Sequence, residues 1–332
     1  MRLLLVALFA ALPAAAPGAE NDAFHYNRRL GRGINLGNAL EAPREGEWGF
    51  TLKEDYFPLI KKAGFNAVRI PVRWSAHADA KRPYRIDPVF FRRVDWALDQ
   101  AQKNGLIAVL NVHHYGEMDD NPRAHTKRFL ALWKQIAERY RGRPDTVYFE
   151  LLNEPHGKLD DALWNATLDE ALTVVRVSNP RRPVIVGPTM WNGFSKLKDL
   201  KLPADDRMLI VTFHYYNPFH FTHQGAEWVK DSRKWLGTRW TGTAKEREQI
   251  VKDFDTAAAW AKKEKRPLFL GEFGAYSKAD MESRARWTAF LREQAEKRGF
   301  SWAYWEFASG FGAYDRQKGR WHEALLSALV PK

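Results

Sequence analysis

The sequence predicts a single (β/α)8 barrel, a closed cylinder of eight parallel strands surrounded by helices. Three observations support this fold. The chain has 332 residues, and one barrel of this type needs about 250 residues plus insertions. Eight short runs rich in Val, Ile, Leu and Phe alternate with longer amphipathic stretches. The runs do not alternate polar and apolar residues, which indicates strands buried on both faces of a parallel sheet.

The predicted strands and helices alternate along most of the chain. The strands are Gly33–Gly37, Ala67–Ile70, Ile107–His113, Val147–Asn153, Val184–Gly187, Leu209–His214, Leu268–Glu272 and Trp302–Trp305. The apolar periodicity between and after them predicts helices at Lys53–Lys62, Pro88–Lys103, Ala124–Arg141, Leu159–Val177, Ala244–Lys263, Ala279–Lys297 and His322–Leu329.

Helix boundaries are marked by capping residues. Asp87, Asp160 and Ser277 stand where N-caps are expected, because their side-chain oxygens can accept from the first free backbone N–H groups. Gly64 and Gly105 stand where two of the helices should end.

One connection is much longer than the others. Residues 217–243 follow the sixth predicted strand and include Trp228, Trp235 and Trp240. Long loops at the C-terminal end of a barrel commonly carry functional residues. No linker, repeat or low-complexity tract divides the chain, so we expect one catalytic domain over residues 20–332.

The first residues predict a signal peptide. An apolar stretch follows Arg2 and gives way to small residues and proline up to Ala19. A membrane span would need about 20 apolar residues, and prolines interrupt this stretch earlier. We therefore expect residues 1–19 to be a signal peptide, the protein to be secreted or periplasmic, and the mature form to be free of the membrane.

Composition narrows the class of protein. The absence of cysteine excludes disulfides, thiol nucleophiles and Cys-based zinc sites. The formal charge is +12, but the basic residues alternate with acids on predicted helices, which is typical of solvated helix faces and not of a nucleic-acid surface. The 14 Trp, 11 Tyr and 20 Phe favour sugar binding, because sugar rings stack on aromatic faces. We expect a monomer that binds a polysaccharide or oligosaccharide.

In this fold the active site forms at the C-terminal ends of the strands. Glu154 and Glu272 follow the fourth and seventh predicted strands, on opposite sides of the barrel mouth. Two facing carboxyls suit glycoside hydrolysis, in which one protonates the leaving oxygen while the other attacks or activates water. Other polar and ring residues expected at strand ends are Asn35, Asn38, Arg69, His113, His114, Asn153, His214, Tyr216 and Trp305.

Several segments resemble glycoside hydrolase family 5, a member of clan A. They are GINLGN (33–38), VRIPVRW (68–74), NVHHY (111–115), ELLNEP (150–155), HYYNP (214–218), GEFGAY (271–276) and AYWEF (303–307). The resemblance runs from about Leu30 to the C-terminus and keeps the motifs in order. ALEAPREGEWG (39–49) and FHFTHQGAEWV (219–229) further resemble bacterial endo-β-1,4-glucanases, or cellulases, that also accept mannan.

The resemblance implies a retaining double displacement, with Glu154 as general acid/base and Glu272 as nucleophile. Retention places the two carboxyls about 5 Å apart. The acid needs a raised pKa, whereas the nucleophile must be ionised and so needs a nearby cation, for which Arg69 is our candidate.

The same resemblance implies roles for the neighbouring residues. Asn153 would bind the 2-hydroxyl of the sugar being cleaved, Tyr216 would hydrogen-bond Glu272, and His214 would support Glu154. His113 would line the subsite on the nonreducing side, with Trp305 as a stacking floor. Further implied sugar contacts, each of which could instead be packing, are Asn38, Glu41, His114, Trp191 and Trp228.

Two further glutamates near the strand ends receive no catalytic role. Glu150 shares strand parity with Glu154, so we expect it to point into the barrel as a buried ion-pair partner. Glu306 should face away from the site.

Three alternatives stay open. A metal-dependent hydrolase would present His-x-His on one strand face or His-Glu-x-x-His on a helix; His113 and His114 are adjacent and point opposite ways, so we expect neither metal nor cofactor. A noncatalytic sugar-binding barrel would have no need of both carboxylates. The preferred substrate is β-1,4-glucan, cellulose-like or mixed-linkage, with mannan or glucomannan second, but a primary β-mannanase or xyloglucanase remains open because loops read the hydroxyls that distinguish these sugars.

Overall fold

The computed structural model of the chain describes residues 22–331, so the predicted signal peptide lies outside the described residues. Within that range eight parallel strands pair in sequence order, and β1 pairs with β8 to close the barrel. The predicted (β/α)8 barrel is therefore confirmed. The strands are β1 Arg32–Asn35, β2 Ala67–Ile70, β3 Ile107–Asn111, β4 Val147–Glu150, β5 Val184–Val186, β6 Leu209–His214, β7 Leu268–Glu272 and β8 Ser301–Tyr304.

Helices surround the barrel and follow most of the strands. They are α1 Ala23–Leu30, α2 Tyr56–Lys62, α3 Pro88–Lys103, α4 Gly116–Asp120, α5 Pro122–Tyr140, α6 Asp161–Ser178, α7 Thr189–Asn192, α8 Phe219–Thr222, α9 Ala244–Glu264, α10 Met281–Lys297 and α11 Glu323–Leu329. In residues 22–331, none of them combines the length and the apolar character needed to cross a membrane.

Two of the three predicted N-caps are correct. Asp87 and Asp160 accept hydrogen bonds from backbone N–H groups in the first turns of α3 and α6. The prediction of Ser277 is wrong, because α10 begins later than expected and is capped by Asp280, whose carboxylate accepts from the Ser283 N–H. A carboxylate is a favoured N-cap because it satisfies a free N–H and interacts well with the positive end of the helix dipole.

The N-terminal end of the barrel is closed by α1, which the sequence did not predict. The Tyr148 hydroxyl donates to the Tyr26 carbonyl at 3.0 Å, and the Asn27 amide donates to the Leu268 carbonyl at 3.1 Å. These bonds join α1 to the N-terminal ends of β4 and β7, so the helix covers that end of the barrel and excludes water from it.

The barrel interior is divided into an apolar layer and a polar layer. Alternate residues of each strand point inward, and near the closed end these include Ala67, Val109 and Tyr148. Two residues further along their strands stand Arg69, Asn111 and Glu150, all buried. The side chains that can do chemistry therefore collect at the open, C-terminal end.

Candidate active site

The base of the site is a single buried arginine. Arg69 is 1% exposed and donates two hydrogen bonds to Glu150, at 2.6 and 2.7 Å. Its other donors reach Asn35 Oδ1 at 2.8 Å, Glu272 Oε1 at 2.7 Å and Asn153 Oδ1 at 2.7 Å. A guanidinium has five N–H groups, so every donor of Arg69 is used. Glu150 is the buried ion-pair partner that strand parity predicted.

Glu272 is the last residue of β7, and each of its carboxylate oxygens accepts a hydrogen bond. Oε1 accepts from Arg69, and Oε2 accepts from the Tyr216 hydroxyl at 3.0 Å. Burial raises the pKa of Glu272, and His214 and Arg69 oppose that rise. Because burial also lowers the pKa of His214 to about 4, that imidazole is neutral near pH 7, and Arg69 is then the cation that favours the ionised form.

Glu154 lies just beyond β4 in a left-handed backbone conformation, with φ of 49°. Its side chain is 24% exposed, and Oε1 lies 2.8 Å from His214 Nδ1. Burial raises the pKa of Glu154 to about 7, against the opposing effects of Arg69 and His156. Arg69 makes no hydrogen bond to Glu154, so the two glutamates share a site but differ in their contacts.

The two carboxyls are close together. One carboxylate oxygen of Glu154, one of Glu272 and a ring nitrogen of His214 all lie within 4.8 Å of one another. This spacing fits the separation of about 5 Å found in retaining glycosidases and is short of the gap of roughly 6.5–9.5 Å that inverting enzymes need for a water molecule.

The same three groups could also ligate a metal ion. Their existing contacts disfavour that use. Glu272 already has Arg69 at 2.7 Å, and a divalent cation beside a guanidinium would be repelled.

Asn153, which the sequence assigned to sugar binding, and Tyr216, which it assigned to hydrogen bonding with the nucleophile, also lie at the site. The Oδ1 of Asn153 accepts from Arg69, which turns the amide N–H groups away from the guanidinium and toward Glu154. Tyr216 is the hydroxyl donor to Glu272. These contacts place the predicted residues together, while their roles in catalysis stay predictions.

A cleft of about 800 Å³ opens above the two glutamates. Trp305 forms its floor, with its ring 5.7 Å from that of His113 and nearly parallel to it. Predicted residues that line the cleft are Asn38, His113, His114, Glu154, Tyr216, Trp228, Glu272 and Trp305. Arg69, Asn153 and His214 lie beneath this lining and contact the carboxylates instead.

Two predicted sugar contacts do not lie in the lining. Glu41 is one of them: its side chain is fully buried and accepts from the backbone N–H groups of Asn38 and Ala39, so it shapes the loop after β1, and its contact with sugar stays a prediction. Burial raises the pKa of Glu41 to about 8. Trp191 is 49% exposed outside the lining, with its ring stacked on His156 at 4.7 Å.

Several cleft residues were not predicted because they stand in loops without a strand-end position. They are Trp48, His223, Tyr276, Ser309, Gly310, Phe311 and Arg316. Trp48, 38% exposed, packs its ring edge-on against His114 at 5.5 Å. Trp48, His223 and Tyr276 stand in segments that carry the family resemblance, which was the signal available from the sequence.

Glu306 also has a role that the sequence did not indicate. It is fully buried and accepts from the backbone N–H groups of Ala308, Ser309 and Phe311. This buried carboxylate therefore fixes the loop after β8 that forms one wall of the cleft.

Comparisons with known proteins agree with this geometry. Residues 32–310 match the model of the cellulase family, glycosyl hydrolase family 5. Endoglucanase H of Acetivibrio thermocellus is 37% identical over 323 residues, which cover 96% of this chain and 34% of that protein. Cellulase/esterase CelE of the same organism is 28% identical over 294 residues, covering 82% of this chain and 35% of that protein. The chain thus spans about a third of the length of these relatives.

The fold also matches solved structures along their whole length. Thermotoga maritima Cel5A in complex with cellobiose is 53% identical, with a TM-score of 0.92, covering 93% of this chain and 100% of that one. The same protein in complex with mannotriose gives 52% identity, the same coverage and a TM-score of 0.92. Since the family model spans most of the chain and the barrel carries its facing glutamates, the chain belongs to glycoside hydrolase family 5.

Proposed function

We propose that the chain is an endo-β-1,4-glucanase that hydrolyses its substrate with retention of configuration. The observation that carries this proposal is the pair of carboxylates within 4.8 Å at the floor of an aromatic-lined cleft. The similarity to an endoglucanase and to cellulase structures supports the same activity.

The first step needs an ionised nucleophile and a protonated acid. Glu272, held by Arg69 and Tyr216, attacks the anomeric carbon as the glycosidic C–O bond breaks. Glu154 gives its proton to the leaving oxygen, and a pKa of about 7 keeps that proton available at neutral and slightly acidic pH. The product is a sugar covalently bound to Glu272.

The second step reverses the role of Glu154. Now ionised, it takes a proton from water, whose oxygen attacks the anomeric carbon and breaks the bond to Glu272. Asn153 supports both steps, because Arg69 fixes its amide oxygen and so directs the amide nitrogen toward the proposed position of the sugar's 2-hydroxyl. A hydrogen bond to that hydroxyl strengthens as positive charge develops on the ring.

The substrate proposal is β-1,4-glucan first, with mannan or glucomannan second. Cel5A of Thermotoga maritima has been solved with both cellobiose and mannotriose, and this chain is similar to it over its full length. We further propose that the protein is secreted or periplasmic, on the basis of the leader sequence, and that it acts as a monomer.

The substrate assignment is tested by reducing-sugar release from carboxymethylcellulose, barley glucan and galactomannan, with product lengths determined by chromatography. We expect mixed oligosaccharides from the two glucans and slower release from galactomannan. Faster hydrolysis of galactomannan would make the protein primarily a mannanase, and no release from any polymer would overturn the proposal. Unchanged activity after treatment with EDTA is expected, and its loss would favour the metal-dependent alternative.

The two carboxylate roles are tested by azide rescue. Azide should restore turnover to Glu272→Gly with an inverted glycosyl azide, because it replaces the missing nucleophile. In Glu154→Ala it should give a retained azide, because it attacks the sugar already bound to Glu272. Exchanged stereochemistry in the two variants would mean that the roles are the reverse of those proposed.

A further inference from the structure

The segment after β5 has an unusual backbone. Met190, Trp191 and Asn192 are consecutive residues with φ of 54°, 57° and 55°, so they form a short left-handed turn within α7. Each non-glycine residue in this conformation costs about 1–2 kcal/mol. Strain of this kind is retained where the surrounding structure uses the conformation.

The turn places one buried amide against the active site. Asn192 is fully buried, and its Nδ2 lies 3.3 Å from His214 Nε2. The backbone directly after the turn, at Gly193, pairs with β6 at His214. The amide and the imidazole are thus fixed relative to each other by a strand bridge as well as by their own contact.

Two glycines leave the space for this contact. A Cβ at Gly187 would overlap the Asn192 side-chain oxygen, and a Cβ at Gly271 would lie 3.0 Å from His214 Nε2. Because both positions lack a side chain, there is room for the Asn192 amide between β5 and β6, with Nδ2 facing His214.

The contact decides which ring nitrogen of His214 carries the proton. Burial lowers the pKa of this imidazole to about 4, so it holds one proton near neutral pH. In this structure Nδ2 of the Asn192 amide faces the ring, and the amide oxygen faces Gly187 and has no hydrogen-bond partner among the described residues. An amide nitrogen can only donate, so in this orientation Nε2 accepts from Asn192. The ring proton is then on Nδ1, which lies 2.8 Å from Glu154 Oε1.

We propose that Asn192 is a positioning residue for the acid/base: it fixes the tautomer of His214 so that Nδ1–H always donates to Glu154. This inference rests on the proposed function of Glu154. A donor on Oε1 leaves Oε2 as the oxygen that gives and takes the catalytic proton, and it stabilises the carboxylate on which the second step depends.

Loss of the Asn192 amide frees the ring proton to move to Nε2, and Glu154 then loses a donor to its ionised form. A carboxylate that loses a hydrogen bond has a higher pKa, so Glu154 would remain protonated to higher pH. The other titratable groups that face Glu154 and His214 are Arg69, His113, Asp119, Glu150, His156, Tyr216 and Glu272. None of them contacts Nε2 in the part of the chain that the structure describes.

The experiment compares Asn192→Gly and Asn192→Leu with the wild type. Glycine removes the amide and tolerates the left-handed turn, and leucine fills the amide's space so that water cannot replace it. Met190→Gly is the matched control, because it relaxes the same turn at a half-exposed side chain and keeps the amide. Each variant is assayed on cellotetraose and on 2,4-dinitrophenyl β-cellobioside, whose leaving group needs no proton.

For both Asn192 variants we expect kcat/KM on cellotetraose to fall about tenfold, the worth of one good hydrogen bond. The basic limb of its pH profile should move to higher pH by up to about one unit, since a tenfold effect corresponds to one pKa unit. The dinitrophenyl substrate should retain wild-type kcat/KM, and Met190→Gly should match the wild type on both substrates. If leucine prevents folding, the glycine variant alone decides the result.

Wild-type kcat/KM and pH limbs in the folded Asn192 variants, or equal losses on the two substrates, would overturn the inference. Equal losses would mean that the amide has only a structural role. A wild-type protein inactive on both substrates would instead overturn the proposed function itself, so the two failures are distinguishable.

Discussion

Arg69→Lys is the substitution that most directly tests how the site is built. The lysine keeps the positive charge but offers three donors from one point, in place of a planar fork with five. Arg69 uses all five, on Glu150, Glu272, Asn35 and Asn153. At least two of these hydrogen bonds must therefore be lost in a site that is almost closed to water.

The expected loss follows from those bonds. A hydrogen bond to a charged group is worth about 1.5–3 kcal/mol, so two lost bonds cost about 3–6 kcal/mol. Bonds to Glu150 and Asn35 affect folding, whereas bonds to Glu272 and Asn153 affect the transition state. If the loss divides evenly, kcat/KM should fall by roughly 13-fold to 160-fold, and the midpoint of thermal unfolding should fall by about 2–5 °C for a chain of this size.

The assay is kcat/KM on cellotetraose as a function of pH, together with thermal unfolding by circular dichroism. Loss of the Arg69 bond to Glu272 raises that carboxyl's pKa further, so the acid limb, which requires ionised Glu272, should move to higher pH. The control is Arg29→Lys, which alters a two-bond arginine pair with Asp145 at the surface, where such pairs contribute little. If Arg69→Lys kept kcat/KM within threefold and unfolded no earlier than the control, the proposed role of the guanidinium would be refuted.

Three further outcomes follow from the structure. Trp228→Ala should raise KM for cellotetraose about fivefold with little change in kcat, as expected for one lost stacking contact; an effect no larger than that of Phe24→Ala, which removes another exposed ring on α1 at the closed end of the barrel, would contradict this. In the wild type, kcat/KM on cellotetraose should decline above about pH 7 as Glu154 ionises, and the wild type should show no such basic limb on dinitrophenyl cellobioside, whose leaving group needs no proton. A pKa of about 8 for Glu41 means that the folded state binds the proton more tightly than the unfolded state does. The contribution of Glu41 to the free energy of unfolding is therefore fully present below the ordinary pKa of a glutamate and is lost as pH rises through about 8. Glu41→Gln should reduce the fall of the thermal unfolding midpoint between pH 5 and pH 9. If the midpoint fell with the same slope in the variant and the wild type, Glu41 would be ionised in the folded protein.

The barrel could be predicted because its strands are buried on both faces and read as continuous apolar runs. Elements without that signal were missed. Helix α1 has two arginines in its last turn and is defined by its contacts with the barrel. The hairpin of β9 Tyr314–Asp315 and β10 Arg320–Trp321 has strands too short for any periodicity to show.

The centre of the site was also predictable, since strand parity and the family motifs place Arg69, Glu154 and Glu272 at one end of the barrel. The loops were not. Glu41 was expected to contact sugar, but its partners are backbone N–H groups, and only the loop's three-dimensional path brings them together. Asn192 gave no signal either, because a left-handed turn followed by glycine has no apolar pattern.

The geometry explains how two like carboxyls perform opposite tasks in turn. Oxygens within 4.8 Å of each other favour a state with one proton between them, since two negative charges at that distance repel in a dry site. Arg69 bonds Glu272 and not Glu154, which favours the proposed state with the proton on Glu154 before the reaction. In the proposed mechanism, glycosylation of Glu272 then removes its negative charge and its repulsion of an ionised Glu154. The ionised form of Glu154 is therefore easier to reach in the second step, where it acts as the base.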